Sequence, residues 1–222
     1  MFGPIARRLP CLLLFLMMWP GAAAAQSLAP TPSASPTEPA QTPPLEATAF
    51  LDTHASEWMV AGGPAYGIVI FNSAGGHRYM LQTLSWGRVL TESHGPGALR
   101  GRFEWAAEAV PVFGQYAPSH TYGFGLSPLV WRWNFEPRGR VATYGELAGG
   151  LLWTRDPVPE RTTTSNFTAH LGYGVRYFVR ARQALLVQYR FHHISNGNRL
   201  ERNPGVNAHV LQFGFAYVRP PK

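Results

Sequence analysis

A histidine and a serine stand two residues apart near the C-terminus, at His193 and Ser195. Side chains two residues apart in a β-strand share a face and lie about 6.5–7 Å apart, so the imidazole can approach the hydroxyl. A serine hydroxyl is a poor nucleophile without an adjacent base, and a serine that transfers acyl groups needs this pairing. The spacing alone is weak evidence for catalysis. The evidence is stronger if the strand places the pair where a substrate can reach it.

The segment 185–217 is predicted to be a β-hairpin that carries the pair at the end of its first strand. Its odd positions are apolar and its even positions are largely polar or small. A soluble sheet turns its apolar face inward, whereas a membrane barrel turns it toward lipid and fills its lumen with polar groups. In a barrel His193 and Ser195 would lie on the lipid-facing rim, which suits a lipid substrate. The apolar odd positions are Leu185, Val187, Tyr189 and Phe191 in the first strand and Leu211, Phe213, Phe215 and Tyr217 in the second.

Eight segments of this kind follow residue 56, each rich in aromatic residues, β-branched residues and glycine. Transmembrane strands need about nine to eleven residues, and bacterial barrels begin at eight strands. The sequence therefore predicts an all-β fold, an eight-stranded antiparallel outer-membrane β-barrel. The predicted strands are 57–67, 78–90, 101–113, 122–134, 141–154, 166–179, 184–195 and 208–218.

Charged residues recur on the polar faces of these strands. A soluble β-sandwich could not bury so many charges cheaply, whereas a small barrel lumen can pair them. We expect ion pairs in the lumen, formed by Arg102, Glu104, Glu108, Arg132, Glu146, Arg176 and Arg190.

The connections alternate in length as an outer-membrane barrel requires. Residues 135–140 and 180–183 are predicted to be short periplasmic turns, and residues 156–165 and 196–207 longer outer loops. Two features argue against the barrel. The connection 91–100 is long for a periplasmic turn, and the chain ends in Arg-Pro-Pro-Lys instead of an aromatic residue.

The N-terminal part has the composition of an exported protein. Residues 1–25 are predicted to be a secretory signal, since Arg7 and Arg8 precede an apolar run that is too short for a spanning helix. Residues 26–50 contain six prolines and are predicted to be a periplasmic linker. The barrel would occupy 51–222, with 51–56 as a short helical or capping piece.

The formal charge of +7, or +5 without Arg7 and Arg8, does not predict a nucleic-acid partner, because the basic residues do not cluster and the protein is exported. Aromatic residues make up 13% of the chain and charged residues 14%, which favours a lipid-facing belt. Anionic lipid headgroups in the outer membrane fit this charge better.

The stretch 191–207 contains His-His-Ile-Ser-Asn and resembles the lipid A 3-O-deacylases of the PagL type, which carry a His-x-Ser-Asn motif in a last hairpin of this form. The resemblance implies a serine esterase of the bacterial outer membrane that removes the 3-O-linked acyl chain of lipid A, the anchor of lipopolysaccharide, without a metal or other cofactor. It implies that Ser195 is the nucleophile and His193 the general base. Backbone N–H groups around Asn196, Gly197 and Asn198 are candidates for oxyanion stabilisation.

The third member of the site departs from the family. The residue fourteen positions after the histidine is an acid in familiar forms, and here it is Asn207. Asn207 shares the parity of His193 and could accept the imidazole N–H, although Asp→Asn in a serine triad costs roughly 10⁴ in turnover through the wrong tautomer. Glu201 in the same loop is the alternative acid. The non-catalytic interpretation is that Asn207 caps a turn.

Other functions stay open on the sequence. The first alternative is a structural or adhesin-like barrel without activity. The second is a different lipid-acting enzyme on the same scaffold, such as a phospholipase or an acyltransferase. A metal site built on His192, His193 and His209 is not expected, because His192 and His193 face opposite ways. The oligomeric state is open, with a homodimer as one alternative.

Overall fold

Each strand of the protein pairs with its neighbours in sequence, and the first strand pairs with the last to close an antiparallel barrel. The computed structural model describes residues 51–221. The predicted eight-stranded all-β barrel is confirmed. The strands are β1 (Ser56–Ile68), β2 (Arg78–Val89), β3 (Gly101–Ala117), β4 (Thr121–Phe135), β5 (Val141–Thr154), β6 (Ser165–Arg180), β7 (Gln183–Ser195) and β8 (Val206–Arg219).

The predicted signal peptide at 1–25 and the linker at 26–50 lie outside the described residues. Within the described part, no helix has the length and apolarity to cross a membrane. The predicted strand bounds agree with the structure to within a few residues. The largest difference is in β3, which continues to Ala117 because it keeps pairing with β2 and β4 beyond a register shift near Pro111, where the proline lacks a backbone donor.

The connections divide between two ends of the barrel. The inner end carries residue 51 and the connections 90–100, 136–140 and 181–182, and the outer end carries the loops 69–77, 118–120, 155–164 and 196–205. The long connection 90–100 is ordered: it contains the 3₁₀ turn Gly97–Leu99, and Leu99 O accepts a hydrogen bond of 3.0 Å from Trp133 Nε1. Its length is therefore compatible with the barrel.

Side chains alternate between the lumen and the outer surface as the parity predicted. In β7 and β8 all of the odd apolar residues except Phe191 are exposed on the outside, and Phe215 exposes 68% of its surface. Their even neighbours are buried, apart from the half-buried Gly214. An apolar exterior around a polar interior is the arrangement of a membrane barrel.

The middle of the lumen holds a network of ion pairs, as expected. Arg132 lies 3.0 Å from both Glu104 and Glu146, and Arg190 lies 2.6 Å from Glu108 and 2.7 Å from Glu146. These side chains are almost fully buried. Pairing offsets the cost of removing each charge from water.

Two charged residues differ from the expectation. Arg102 lies outside the central network and pairs with Glu136 at the inner end, at 3.3 Å. Glu57, at the start of β1, joins the network through Arg176 at 2.5 Å, and this contact was not predicted.

Apolar layers close the lumen above and below the charges. At the inner end Leu51 is buried against a cluster that includes Tyr144 and Phe178, so residues 51–56 cap the barrel without forming a helix. At the outer end Val158, from the loop 155–164, is fully buried in a cluster with Tyr79.

Candidate active site

His193 and Ser195 lie on the outward face of β7 at the outer end of the barrel, and both are half-buried. His193 pairs with Asn207 of β8, and Ser195 pairs with Phe167 of β6. The strand period puts the two side chains on one face, one repeat apart. The predicted rim position is therefore present.

Asn207 lies against the imidazole. Its Oδ1 is 2.7 Å from His193 Nδ1, and its Nδ2 donates to the backbone carbonyl of Ile70 at 3.3 Å. The carbonyl can only accept a hydrogen bond, so the amide nitrogen must face Ile70 and the amide oxygen must face the histidine. His193 Nδ1 therefore carries the proton, and Nε2 keeps a lone pair that can act as a base.

Glu201, the alternative third member, has a different position. It is exposed in the loop 196–205, and it forms no hydrogen bond or ion pair with His193 in the described part of the chain. The structure thus brings Asn207, and not Glu201, to the imidazole.

The Ser195 hydroxyl makes no hydrogen bond within 3.5 Å among residues 51–221, so it is not hydrogen-bonded to the imidazole in this structure. Catalytic hydrogen bonds are often long before substrate binds. Because Ser195 ends β7, the loop that follows decides which donors surround its hydroxyl.

The loop 196–205, here called the active-site loop, begins with a tight turn. Gly197 and Asn198 have positive φ angles of 64° and 59°, and Arg199 N donates to Asn196 O at 3.4 Å. Two consecutive positive φ angles are typical of a type I′ turn, which a glycine enters without strain. A Cβ at position 197 would also lie 2.7 Å from the ring of Phe167.

The three oxyanion candidates differ in what they can donate. Asn196 is buried and its donors are engaged, since its backbone N–H bonds Asn203 Oδ1 at 3.0 Å and its Nδ2 bonds Arg202 O at 2.9 Å. Within the described residues, the backbone N–H groups of Gly197 and Asn198 have no partner. The free donors next to Ser195 are therefore these two.

Arg199 fastens the active-site loop to β6, a role that the sequence did not predict. Its Nε donates to Asn196 O at 2.9 Å, and its two terminal nitrogens donate to the Ser165 carbonyl and, at 3.2 Å, to the Ser165 hydroxyl. Its guanidinium lies over the ring of Phe167. The contacts with Ser165 join residues 34 positions apart and follow no periodicity.

Gly205 makes room for the base. It has a φ angle of +66°, and a Cβ there would lie 3.0 Å from His193 Cε1. Its carbonyl accepts a hydrogen bond of 2.9 Å from Ala74 N in the loop 69–77, here called the first outer loop. The imidazole is thus held between the active-site loop and Asn207.

The other histidines of the hairpin serve separate contacts. His192 points into the lumen, with its Nδ1 2.7 Å from Tyr79 Oη, while His209 faces outward, with its Nδ1 2.5 Å from Tyr189 Oη. In the described part of the chain, no three side chains of His, Cys, Asp or Glu come together in a way that could hold a metal ion.

Comparison with known proteins gives one family. The family model of the lipid A 3-O-deacylases (PagL) matches residues 65–216, which is more than half of the chain. No curated protein sequence matches the chain. Among solved structures, the chain is similar to the outer membrane enzyme PagL in its crystal structure, with 16% identity and a TM-score of 0.47 over 75% of this chain and 99% of that one.

Proposed function

Because this chain belongs to the lipid A 3-O-deacylase (PagL) family, we propose that it removes the 3-O-linked acyl chain of lipid A with Ser195 as nucleophile and His193 as general base. The reaction is the hydrolysis of an ester. The observation that carries the assignment of residues is the contact of 2.7 Å between His193 Nδ1 and Asn207 Oδ1, which leaves Nε2 available as the base.

The reaction proceeds in two halves. In the first, His193 Nε2 takes the proton of the Ser195 hydroxyl as its oxygen attacks the ester carbonyl. The backbone N–H groups of Gly197 and Asn198 stabilise the negative oxygen of the tetrahedral intermediate. The intermediate collapses when His193 returns the proton to the sugar oxygen, so that the 3-hydroxyl of the sugar leaves and the acyl chain stays on Ser195.

In the second half, His193 takes a proton from a water molecule that attacks the acyl-enzyme. The second tetrahedral intermediate releases the fatty acid and restores the Ser195 hydroxyl. Asn207 holds the Nδ1 proton in both halves. Because its amide is neutral, it orients the imidazole without supplying the full negative charge that an aspartate would place beside the imidazolium.

The position of the site fits a substrate that stays in the membrane. The apolar exterior of the barrel matches a bilayer, and His193 and Ser195 face outward at the outer end. We infer that in the outer membrane the hydroxyl lies beside the acyl esters of the outer leaflet. An ester can reach Ser195 by lateral diffusion, without leaving the lipid.

The proposed function does not require the homodimer that the sequence left open, and the oligomeric state needs its own measurement. Nucleophile, base and orienting amide all come from one chain, so a monomer already contains the site. Sedimentation of the refolded protein in detergent would give the oligomeric state.

Mass spectrometry of lipid A tests the proposed function. Refolded protein in detergent should remove one hydroxyacyl group, and Ser195→Ala and His193→Ala should abolish the loss. Ser56→Ala, at the inner end of β1, is the matched control and should leave the activity intact. If folded wild-type protein leaves lipid A unchanged, the barrel has a structural function. If it cleaves a phospholipid instead, it is another lipid hydrolase on this scaffold.

A further inference from the structure

The amide of Asn207 has two unlike ends, and this separates it from a carboxylate. An aspartate presents an acceptor oxygen to a histidine whichever way its carboxylate turns. Asn207 presents an acceptor in one orientation and a donor in the other. If its nitrogen faced His193, Nδ1 would have to accept and the proton would move to Nε2, the atom that must act as base. The site is therefore active in one of the two orientations.

A single backbone carbonyl distinguishes these orientations. Ile70 O lies 3.3 Å from Asn207 Nδ2 and also accepts the N–H of Ser73 at 3.0 Å. In the reversed orientation two acceptor oxygens, Asn207 Oδ1 and Ile70 O, would face each other without a proton between them. Asn207 keeps 5% of its surface exposed, so water has little access to bridge them.

Ser73 holds the Ile70 carbonyl in place. Its hydroxyl accepts the backbone N–H of Ile70 at 3.2 Å and donates to Ile68 O at 3.1 Å. The next residue, Ala74, bonds Gly205 O in the active-site loop. The first outer loop is thus braced within itself and against the wall of the imidazole pocket.

We propose that Ile70 is a positioning residue, whose carbonyl fixes the amide of Asn207 and thereby selects the tautomer of His193 that can act as a base. Ser73 supports this function in two ways: its backbone N–H bonds the Ile70 carbonyl, and its hydroxyl bonds the Ile70 N–H and fixes the preceding peptide. The inference rests on the proposed function, because Asn207 acts on the reaction through His193. It explains how an asparagine can replace a carboxylate here: a carboxylate presents an acceptor in either orientation, whereas the asparagine amide must be held in one.

A double-mutant cycle on Ser73 and Asn207 tests the inference with 3-O-acylated lipid A as substrate. Ser73→Ala keeps the backbone N–H on the Ile70 carbonyl but removes the hydroxyl that links Ile70 N–H to Ile68 O. This loosens the turn that carries the carbonyl, so kcat should fall about tenfold while KM stays nearly constant. In the Asn207→Asp background either carboxylate oxygen accepts from Nδ1, so Ser73→Ala should change kcat by less than about twofold. A purely structural role for Ser73 would lower kcat by the same factor in both backgrounds, and that result would overturn the inference.

The tautomer can also be measured without any change at Ser73, which covers the case in which Ser73→Ala does not fold. Nitrogen NMR of ¹⁵N-histidine-labelled protein in micelles, with His193 assigned by difference from His193→Gln, should show the proton on Nδ1. A proton on Nε2 in the wild type would refute the selection of tautomer.

The two proposals fail in different ways. Deacylation that survives Ser195→Ala would refute the proposed function. Equal effects of Ser73→Ala in the two backgrounds, in an enzyme that Ser195→Ala inactivates, would refute the tautomer selection and leave the proposed function intact.

Discussion

Arg199 lies over the ring of Phe167, with its guanidinium carbon 5.1 Å from the ring centroid, and Phe167 is the residue that pairs with Ser195 across β6 and β7. The same guanidinium bonds the carbonyl of Asn196, the first residue after the nucleophile. The arginine therefore fixes the turn that presents the free N–H groups of Gly197 and Asn198.

Removing Arg199 should disorder this turn and weaken the stabilisation of the oxyanion. We expect Arg199→Ala to lower kcat by roughly 10²-fold, the size of the loss of one oxyanion donor. Arg199→Lys should not restore it, because an ammonium cannot make the fork of contacts to Ser165 and Asn196. Arg155→Ala is the control, since Arg155 lies over Tyr122 in the same way, with 5.8 Å to the ring centroid, on another part of the outer end. Equal losses in both alanine variants would contradict the role of Arg199.

A side chain at Gly205 should press on the base. Gly205→Ala combines a positive φ with a contact of 3.0 Å to His193 Cε1, so it should lower both stability and kcat. Gly139→Ala, in an inner connection, has a similar φ of +55° and open space around its Cβ position. Both variants should lose about 1 kcal/mol in the free energy of unfolding. A loss of activity in Gly205→Ala alone, measured on lipid A, would attribute the effect to the imidazole.

The third member of the site is tested by a pair of substitutions. Asn207→Ala removes the acceptor of the Nδ1 proton and should lower kcat by roughly 10²–10⁴-fold, as the loss of the orienting group does in serine triads. Glu201→Ala removes an exposed carboxylate that does not contact His193, and its kcat should stay near that of the wild type. A larger loss of kcat in Glu201→Ala than in Asn207→Ala would instead identify Glu201 as the residue that orients His193.

The lumen network should govern stability without taking part in the reaction. Glu146 bonds Arg132 and Arg190 and lies 3.3 Å from His170 Nε2, so Glu146→Gln removes the buried carboxylate that the two arginines share and leaves each of them with one counter-ion. We expect a loss of about 3–5 kcal/mol in the free energy of unfolding. Glu136→Gln, in a partly exposed pair at the inner end, should lose about 1 kcal/mol or less. Unfolding by urea in lipid vesicles would measure both, and similar values for the two variants would contradict a central function of the network.

The sequence predicted the features that depend on alternation. The parity of β7 placed His193 and Ser195 on the outer face, and the polar faces predicted most of the lumen charges, because both follow from the two-residue period of a strand. The same parity also argued against Asn196 as an oxyanion donor, because an even residue after Ser195 points inward. In the structure Asn196 is buried and bonded within its loop.

Contacts between loops could not be predicted in this way. The hydrogen bond from Asn207 to Ile70 joins residues 137 positions apart, and the contact of Arg199 with Ser165 also has no periodic signal. The first contact depends on closure of β1 on β8, which brings the first outer loop to Asn207, and the second depends on the pairing of β6 with β7, which brings Ser165 to the active-site loop. The choice between Asn207 and Glu201 was open for the same reason.

The filled lumen bears on how a cell can use this protein. Leu51 and Val158 lie in apolar layers at opposite ends of a charged interior, so buried side chains cover both ends of the lumen in the described barrel. Additional copies of such a barrel therefore add enzyme to the membrane without adding open pores.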